Sequence, residues 1–484
     1  FFFALGDYRL QDAPAGSPET ASGTGNSYLG KVTWQIDPAH KLSMLYTASG
    51  QDVDNFNASS LTDETALGHA EFESRLTSAE YVGMLGPRVI VQARAALFDA
   101  GWEERPQSGD TTTRSATEYL TDRRTGNYRT VDTRDRSRRE ISGTVAWAIG
   151  NHTVKAGFDR QEVTTARSQV FTGGGWDEVV PDASGQTVPL IVYSITSFSI
   201  YENDARLGGL FVSDRWRLSD RWTANVGLRH DSYAYEDDVG TVVYETRLWQ
   251  PRLGLAWNVT GDDRNVLKGT WGRFGQPTNL NPSYYVNESH LAADVFFNET
   301  VGGYLVDAGP VPLDIDGDGE ISDRALVGSF QTGGTTYAQA GRLDATFVDE
   351  TSVSFERLVG RSSVFGITAV RRQTRDLIED YYPDAEASNL VIANLPGLER
   401  TYSGLEIRYE ARFARAFVMA SYTHARNEGN LGLENSWGCS TEYDVPILSE
   451  NREGYLPGDV RRALKLNGFW SLPRGFELGY AARW

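Results

Sequence analysis

One run of ten residues has the spacing of a metal site: Asp314-Ile315-Asp316-Gly317-Asp318-Gly319-Glu320-Ile321-Ser322-Asp323. It follows the D-x-D-x-D-G pattern that opens an EF-hand-type calcium loop. A hard cation takes roughly six to eight oxygens, and alternate positions of a tight loop aim them at one centre. Asp314, Asp316 and Asp318 are the carboxylate candidates. Gly319 allows the sharp turn, Glu320 offers its backbone carbonyl, and Ser322 or Asp323 is a late ligand. The twelfth position holds Ala325, where a bidentate Glu is expected, and Asp323 is the candidate substitute. The pattern predicts a Ca²⁺ site in a long loop, 276–344, which bound calcium would rigidify against a high ordering entropy. The competing reading is a solvated acidic turn.

No catalytic constellation accompanies it. His40, His69, His152, His230, His290 and His424 are scattered without metal-ligand spacing. The chain has neither a G-x-S-x-G nor a phosphate-binding P-loop, and no carboxylate pair stands out for acid/base work. The expectation is a protein that is not an enzyme. Tyr284, Tyr285, Tyr381 and Tyr382 fall in long loops where they could touch a ligand, but exposed loop aromatics are common and earn no assignment. The one cysteine, Cys439, has no partner for an intrachain disulfide.

The elements that must hold such loops are strands. The 484 residues include 49 Gly, 23 Tyr and 12 Trp but only 3 Met, a balance that disfavours helix. A formal charge of −19 argues against nucleic acid as a partner. No stretch approaches the ~20 apolar residues of a spanning helix. Period-two alternation recurs instead. Trp222, Ala224, Val226, Leu228 and His230 alternate with Arg221, Thr223, Asn225, Gly227 and Arg229. Leu405, Ile407, Tyr409, Ala411 and Phe413 alternate with Glu406, Arg408, Glu410 and Arg412. A strand puts all four of those charges on one side; a helix would scatter them. About 17 such strands are visible, most near the ~9–11 residues that cross a bilayer at a tilt.

Connections alternate in length. Short turns fall at Asp37-Pro38-Ala39, Gly86-Pro87, Gly150-Asn151, Ser219-Asp220, Gly261-Asp262-Asp263, Gly360-Arg361, Ala414-Arg415 and Pro473-Arg474. Long polar segments lie between them, at 11–25, 50–72, 100–137, 165–205, 234–245, 276–344, 376–400 and 427–459. Trp34, Trp147, Trp216, Trp222, Trp257 and Trp470 sit near the short turns on the apolar face, as an interfacial aromatic girdle does. The other face carries Arg215, Arg217, Arg229, Glu406, Arg408, Glu410, Arg412 and Glu477, too many charges for a dry core. The fold class expected is all-β: a large antiparallel transmembrane β-barrel with short periplasmic turns and long extracellular loops.

Several motifs then become recognisable. Leu210-Phe211-Val212-Ser213-Asp214-Arg215-Trp216-Arg217-Leu218 followed by Leu228-Arg229-His230-Asp231 resembles a hairpin of TonB-dependent receptors. Pro251-Arg252-Leu253-Gly254-Leu255-Ala256-Trp257 and Gly269-Thr270-Trp271-Gly272-Arg273-Phe274 resemble the strands that follow it, and Phe3-Ala4-Leu5-Gly6-Asp7-Tyr8 an early barrel strand. The segments around Arg371-Arg372-Gln373 and Tyr455-Leu456-Pro457-Gly458 resemble the Oar-like subgroup with large surface loops. The resemblance covers nearly the whole chain. It implies a bacterial outer-membrane barrel of 22 strands with an N-terminal plug, and uptake powered through the TonB complex. Residues 1–484 are then expected to be an incomplete barrel, with the plug and the last strands outside them. The implied partners are outer-membrane lipid, the TonB complex reached through the plug, and a small ligand, glycan or peptide. The alternatives are a passive porin-like channel and a surface-binding barrel protein.

Overall fold

A computed structural model describes residues 2–12, 15–17, 19–181, 184–197, 199–238, 240–277, 292–302, 314, 316–331, 337–339, 343–382, 390–432, 443 and 450–484. Tyr284, Tyr285, Ile315 and Cys439 lie outside these residues.

Alternation becomes one sheet of 18 strands, every neighbouring pair antiparallel. One member is the two-residue strand Gly454–Tyr455. The rest form a wall in chain order: β1 (Phe2–Asp12), β2 (Ala21–Asp37), β3 (His40–Phe56), β4 (Gly68–Leu85), β5 (Val89–Pro106), β6 (Thr130–Ile149), β7 (His152–Phe171), β8 (Ser199–Arg217) and β9 (Trp222–Glu236). It continues through β10 (Val242–Asn258), β11 (Asn265–Gly275), β12 (Phe347–Val359), β13 (Ser363–Arg375), β14 (Arg400–Phe413), β15 (Ala416–Gly429), β16 (Arg462–Ser471) and β17 (Glu477–Arg483). Each strand pairs with the next, and the described residues contain no pairing between β1 and β17. No described helix is long and apolar enough to cross a membrane.

The eight short turns fall where the sequence places them. On the apolar face the six girdle tryptophans sit beside those turns, Trp222 stacked on Trp257 at 5.1 Å and Trp216 on His152 at 5.2 Å. Along β6 this face reads Ile149, Trp147, Val145, Gly143, Ile141, and then Arg139. That is about nine residues, or ~26 Å of strand at ~3.3 Å per residue, enough for a hydrocarbon layer. Large side chains stay exposed on it, Leu210 at 64% and Val212 at 50%, because lipid rather than protein is their solvent.

The polar segments are where the expectation needs correction. Much of 100–137, 165–205 and 234–245 is strand, not loop. β6 and β7 each run 20 residues, so about half of each stands beyond the apolar band. There both faces meet water and alternation of hydropathy vanishes, yet the backbone ladder continues. The outward face turns to ion pairs such as Arg160–Glu162 at 2.8 Å and Arg105–Glu71 at 2.9 Å. Soon after β9 the Thr241 N–H donates to the Asp237 side chain at 2.7 Å.

The remaining loops fold onto one another. Ala325–Gln331, Ala292–Phe297, Thr187–Ser197, Gly175–Pro181, Ser115–Glu118 and Arg124–Thr125 make a six-stranded sheet from three separate connections. Tyr337–Gln339, Leu390–Asn394 and Ile378–Tyr381 make a smaller one. Leu343, Ala345, Ile378 and Ile392 then pack against Tyr233, Tyr235 and Tyr244 on the charged-face side of β9 and β10.

Two outcomes test this arrangement. Val212→Arg, at mid-band on the lipid side, should cost about 2–4 kcal/mol, whereas Gln92→Arg on the opposite face should cost under about 1 kcal/mol; denaturant titration in phospholipid vesicles reads both. Burial raises the Asp380 carboxyl above its ordinary value of 3.8. A raised acid stabilises packing fully below the ordinary value and loses that contribution as pH rises through the raised one. Hydrogen-exchange protection across 378–381, corrected for intrinsic rates, should therefore be greater at acid pH, and Asp380→Asn should remove the difference.

Candidate functional site

The acidic loop is shaped by its own side chains. Asp314 Oδ1 accepts the Gly317 N–H at 2.7 Å and Oδ2 the Gly319 N–H at 2.9 Å. Asp316 accepts from Asp318 N–H at 3.2 Å, and Asp318 from Glu320 N–H at 2.8 Å. Gly317 and Gly319 both hold positive φ, 76° and 85°, which strains any residue with a Cβ.

The loop does not act alone. Ala292–Phe297 pairs with Ala325–Gln331 so that Phe297 faces Ala325. The chain then turns into the short helical segment Glu299–Gly302, which sets Glu299 beside the end of the loop. Glu299 Oε2 accepts the Ser322 N–H at 2.8 Å, and the Glu299 N–H donates to the Ser322 carbonyl at 3.1 Å. Glu299 is 1% exposed. Carboxylate oxygens of Glu299, Asp314 and Asp316 lie within 4.8 Å of one another. Asp318, Glu320 and Asp323 are not among the converging groups; all three are exposed, as Asp314 and Asp316 are, and Ser322 uses its backbone to hold Glu299. The sequence pattern missed Glu299 because the strand register brings it there from 23 residues before Ser322.

A second convergence lies on the outward face above the apolar band. His69 is 8% exposed, with Nδ1 2.9 Å from Asp54 and Nε2 2.9 Å from Glu71. Asp52 stands 3.7 Å from Nε2. Both ring nitrogens thus face carboxylates across the β3–β4 pair.

The face opposite the lipid is charged and hydrogen-bonded. Arg229 bridges Asp159 at 2.8 Å and Asp231 at 2.6 Å, joining β7 to β9. Asp231 also accepts from the Tyr233 hydroxyl at 2.9 Å and from the Gln250 amide. Gly209 lies between the two acids, and a Cβ there would collide with Arg229 and Asp231. Arg408 pairs with Glu410 at 2.6 Å and Lys268 with Glu356 at 2.7 Å. A wall with lipid on one side and such a wet face on the other is a pore lining, not a soluble sandwich.

The family model described as TonB dependent receptor-like, beta-barrel matches residues 8–484. The chain belongs to the TonB-dependent receptor family. It is therefore a bacterial outer-membrane β-barrel protein, with its charged face towards the lumen. A TonB-dependent transporter, Oar, of Myxococcus xanthus is 24% identical over 367 residues, 66% of this chain and 34% of that protein. The chain thus spans about a third of that relative's length. Among solved structures, the outer membrane transporter YddB from Escherichia coli aligns with a TM-score of 0.64 at 12% identity, over 100% of this chain and 61% of that one. The siderophore receptor PiuA from Acinetobacter baumannii aligns at 0.59 and 10% identity, over 99% of this chain and 67% of that one. At such identities the structural likenesses speak for the fold. As a TonB-dependent receptor barrel, the chain carries its acidic loop and its loop sheets on the extracellular side, opposite the short periplasmic turns.

Proposed function

We propose that the protein takes up a specific nutrient ligand across the outer membrane, driven by the TonB complex through a plug segment. The observation that carries this reading is the way the extracellular connections fold. Three of them combine into a six-stranded sheet and two more segments pack against the inner face of β9 and β10. Connections joined in this way give a receptor a shaped binding surface. The ligand's class is open among small molecule, glycan and peptide. The discriminating measurement is planar-bilayer conductance of the full-length protein. A plugged receptor carries no steady open current, and a continuous ohmic current at low voltage would favour the porin-like alternative.

Calcium belongs to the same proposal. Glu299 would take the role of the missing twelfth-position Glu, and the ligand set would be Asp314, Asp316 and Glu299, whose carboxylate oxygens lie within 4.8 Å of one another, with further oxygens from the loop backbone and water. A bound ion would join the loop to the six-stranded sheet through Ser322 and Glu299. Terbium luminescence on the detergent-folded protein should saturate and be displaced by Ca²⁺. Glu299→Gln or Asp314→Asn should weaken binding by roughly tenfold or more, as removal of a ligand charge does, while Asp323→Asn should leave it nearly unchanged. No saturation at millimolar ion would leave only an acidic turn.

A further inference from the structure

Beneath the six-stranded loop sheet is a cleft of about 990 Å³. Its walls come from the loops at 57–66 and 115–130 and from the upper end of β7, with Trp176 at one side. Two guanidiniums line it, Arg124 and Arg129. The other arginines of this neighbourhood have counter-ions. Arg114 pairs with Asp177 at 2.9 Å, Arg123 with Asp63 at 2.7 Å, and Arg134 and Arg167 share Asp132 at 2.7 and 2.5 Å. Among the described residues, Arg124 and Arg129 are in no ion pair. Both cations border one cleft, near enough for the charge of Arg124 to act on Arg129.

Arg129 is held for a task other than salt bridging. Its guanidinium lies 5.2 Å from the Trp176 ring centroid and donates to Thr117 Oγ1 at 3.0 Å. Trp176 is itself fixed by stacking on Tyr193 at 4.4 Å. Protein packed around Arg129, and then the charge of Arg124, hold its pKa below the ordinary guanidinium value. It stays protonated, and an anion arriving between the two arginines would relieve that repulsion. Glu178 is near, but its carboxylate accepts the Tyr193 hydroxyl at 3.2 Å. Asp122 also borders the cleft and is exposed, without pairing to either arginine. Arg124 is fixed through its backbone, its N–H on the Leu61 carbonyl at 2.7 Å and its carbonyl accepting from Asp63 at 2.9 Å. The Arg129 guanidinium is thus held in place, the exposed Arg124 side chain is anchored through its backbone, and a guanidinium fork suits a carboxylate.

We propose that this cleft binds a carboxylated sugar, its carboxylate between Arg124 and Arg129 and its hydroxyls towards the Ser59, Ser115 and Thr117 side. The volume suits a di- or trisaccharide, at the upper end of the ~300–1,000 Å³ usual for ligand sites. The mixed lining favours a polyhydroxylated anion over a purely apolar ligand. The assignment rests on the receptor reading only in treating the occupant as cargo, since binding in detergent needs neither TonB nor transport.

The test is isothermal titration of the detergent-folded full-length protein with oligoglucuronate, with neutral gluco-oligosaccharide of the same length and with inorganic phosphate. Oligoglucuronate should bind saturably, and the neutral sugar should not. Arg124→Gln and Arg129→Gln should each weaken it by roughly tenfold or more, the usual loss for one charge-assisted hydrogen bond. Arg123→Gln, whose partner is Asp63, should change it by less than about twofold. A heat-shift gel confirms that each variant is folded. Absence of oligoglucuronate binding to the wild-type protein, or binding indifferent to both arginines, overturns the proposal. Phosphate binding as tightly as the sugar overturns the sugar assignment. A steady bilayer current would sink the uptake reading and leave this binding result standing.

Discussion

In hydrocarbon a backbone N–H or C=O has only other backbone groups to bond. That requirement governs the whole chain. It selects the antiparallel ladder that runs without interruption from β1 to β17. The ladder in turn sends alternate side chains to opposite faces, one for lipid and one for water. Val212 and Leu228 stand opposite one another on the first, Phe211 and Arg229 on the second. Short turns reverse the chain on the periplasmic side. On the other side the strands outrun the bilayer, and their freed ends support the loop sheets.

The parts of this fold that lipid dictates are the parts the sequence displays. The alternation in β9 and β14, the eight short turns and the tryptophans beside them all follow from a boundary between two solvents. Each is written as a change of residue type. Above the boundary the signal fails. In the upper half of β6, Arg134, Asp135, Arg136, Arg138 and Arg139 read as a charged loop, yet each is paired residue by residue with β5 or β7. Water on both faces removes the hydropathy contrast without removing the hydrogen bonds.

The acidic loop shows the same division. Its three aspartates and two glycines are local, so spacing alone finds them. The approach of Glu299 to it depends on Phe297 lying opposite Ala325, a register set by tertiary pairing that no spacing rule contains. Asp323, the local candidate, is left exposed. The Arg124–Arg129 cleft is likewise invisible in sequence. An arginine without a counter-ion looks like any other until its neighbours are known.

The six-stranded extracellular sheet includes one parallel contact, Ser115–Glu118 against Gly175–Pro181, and one antiparallel contact that joins Thr187–Ser197 to Ala292–Phe297. Segments nearly two hundred residues apart in the chain are therefore hydrogen-bonded into one object. Surface loops are often pictured as independent cassettes that a lineage can exchange singly. Here a loop replaced by itself would leave a bare strand edge on each neighbour. The heritable unit on this surface is the whole set of interleaved loops, and variation within it has to travel together.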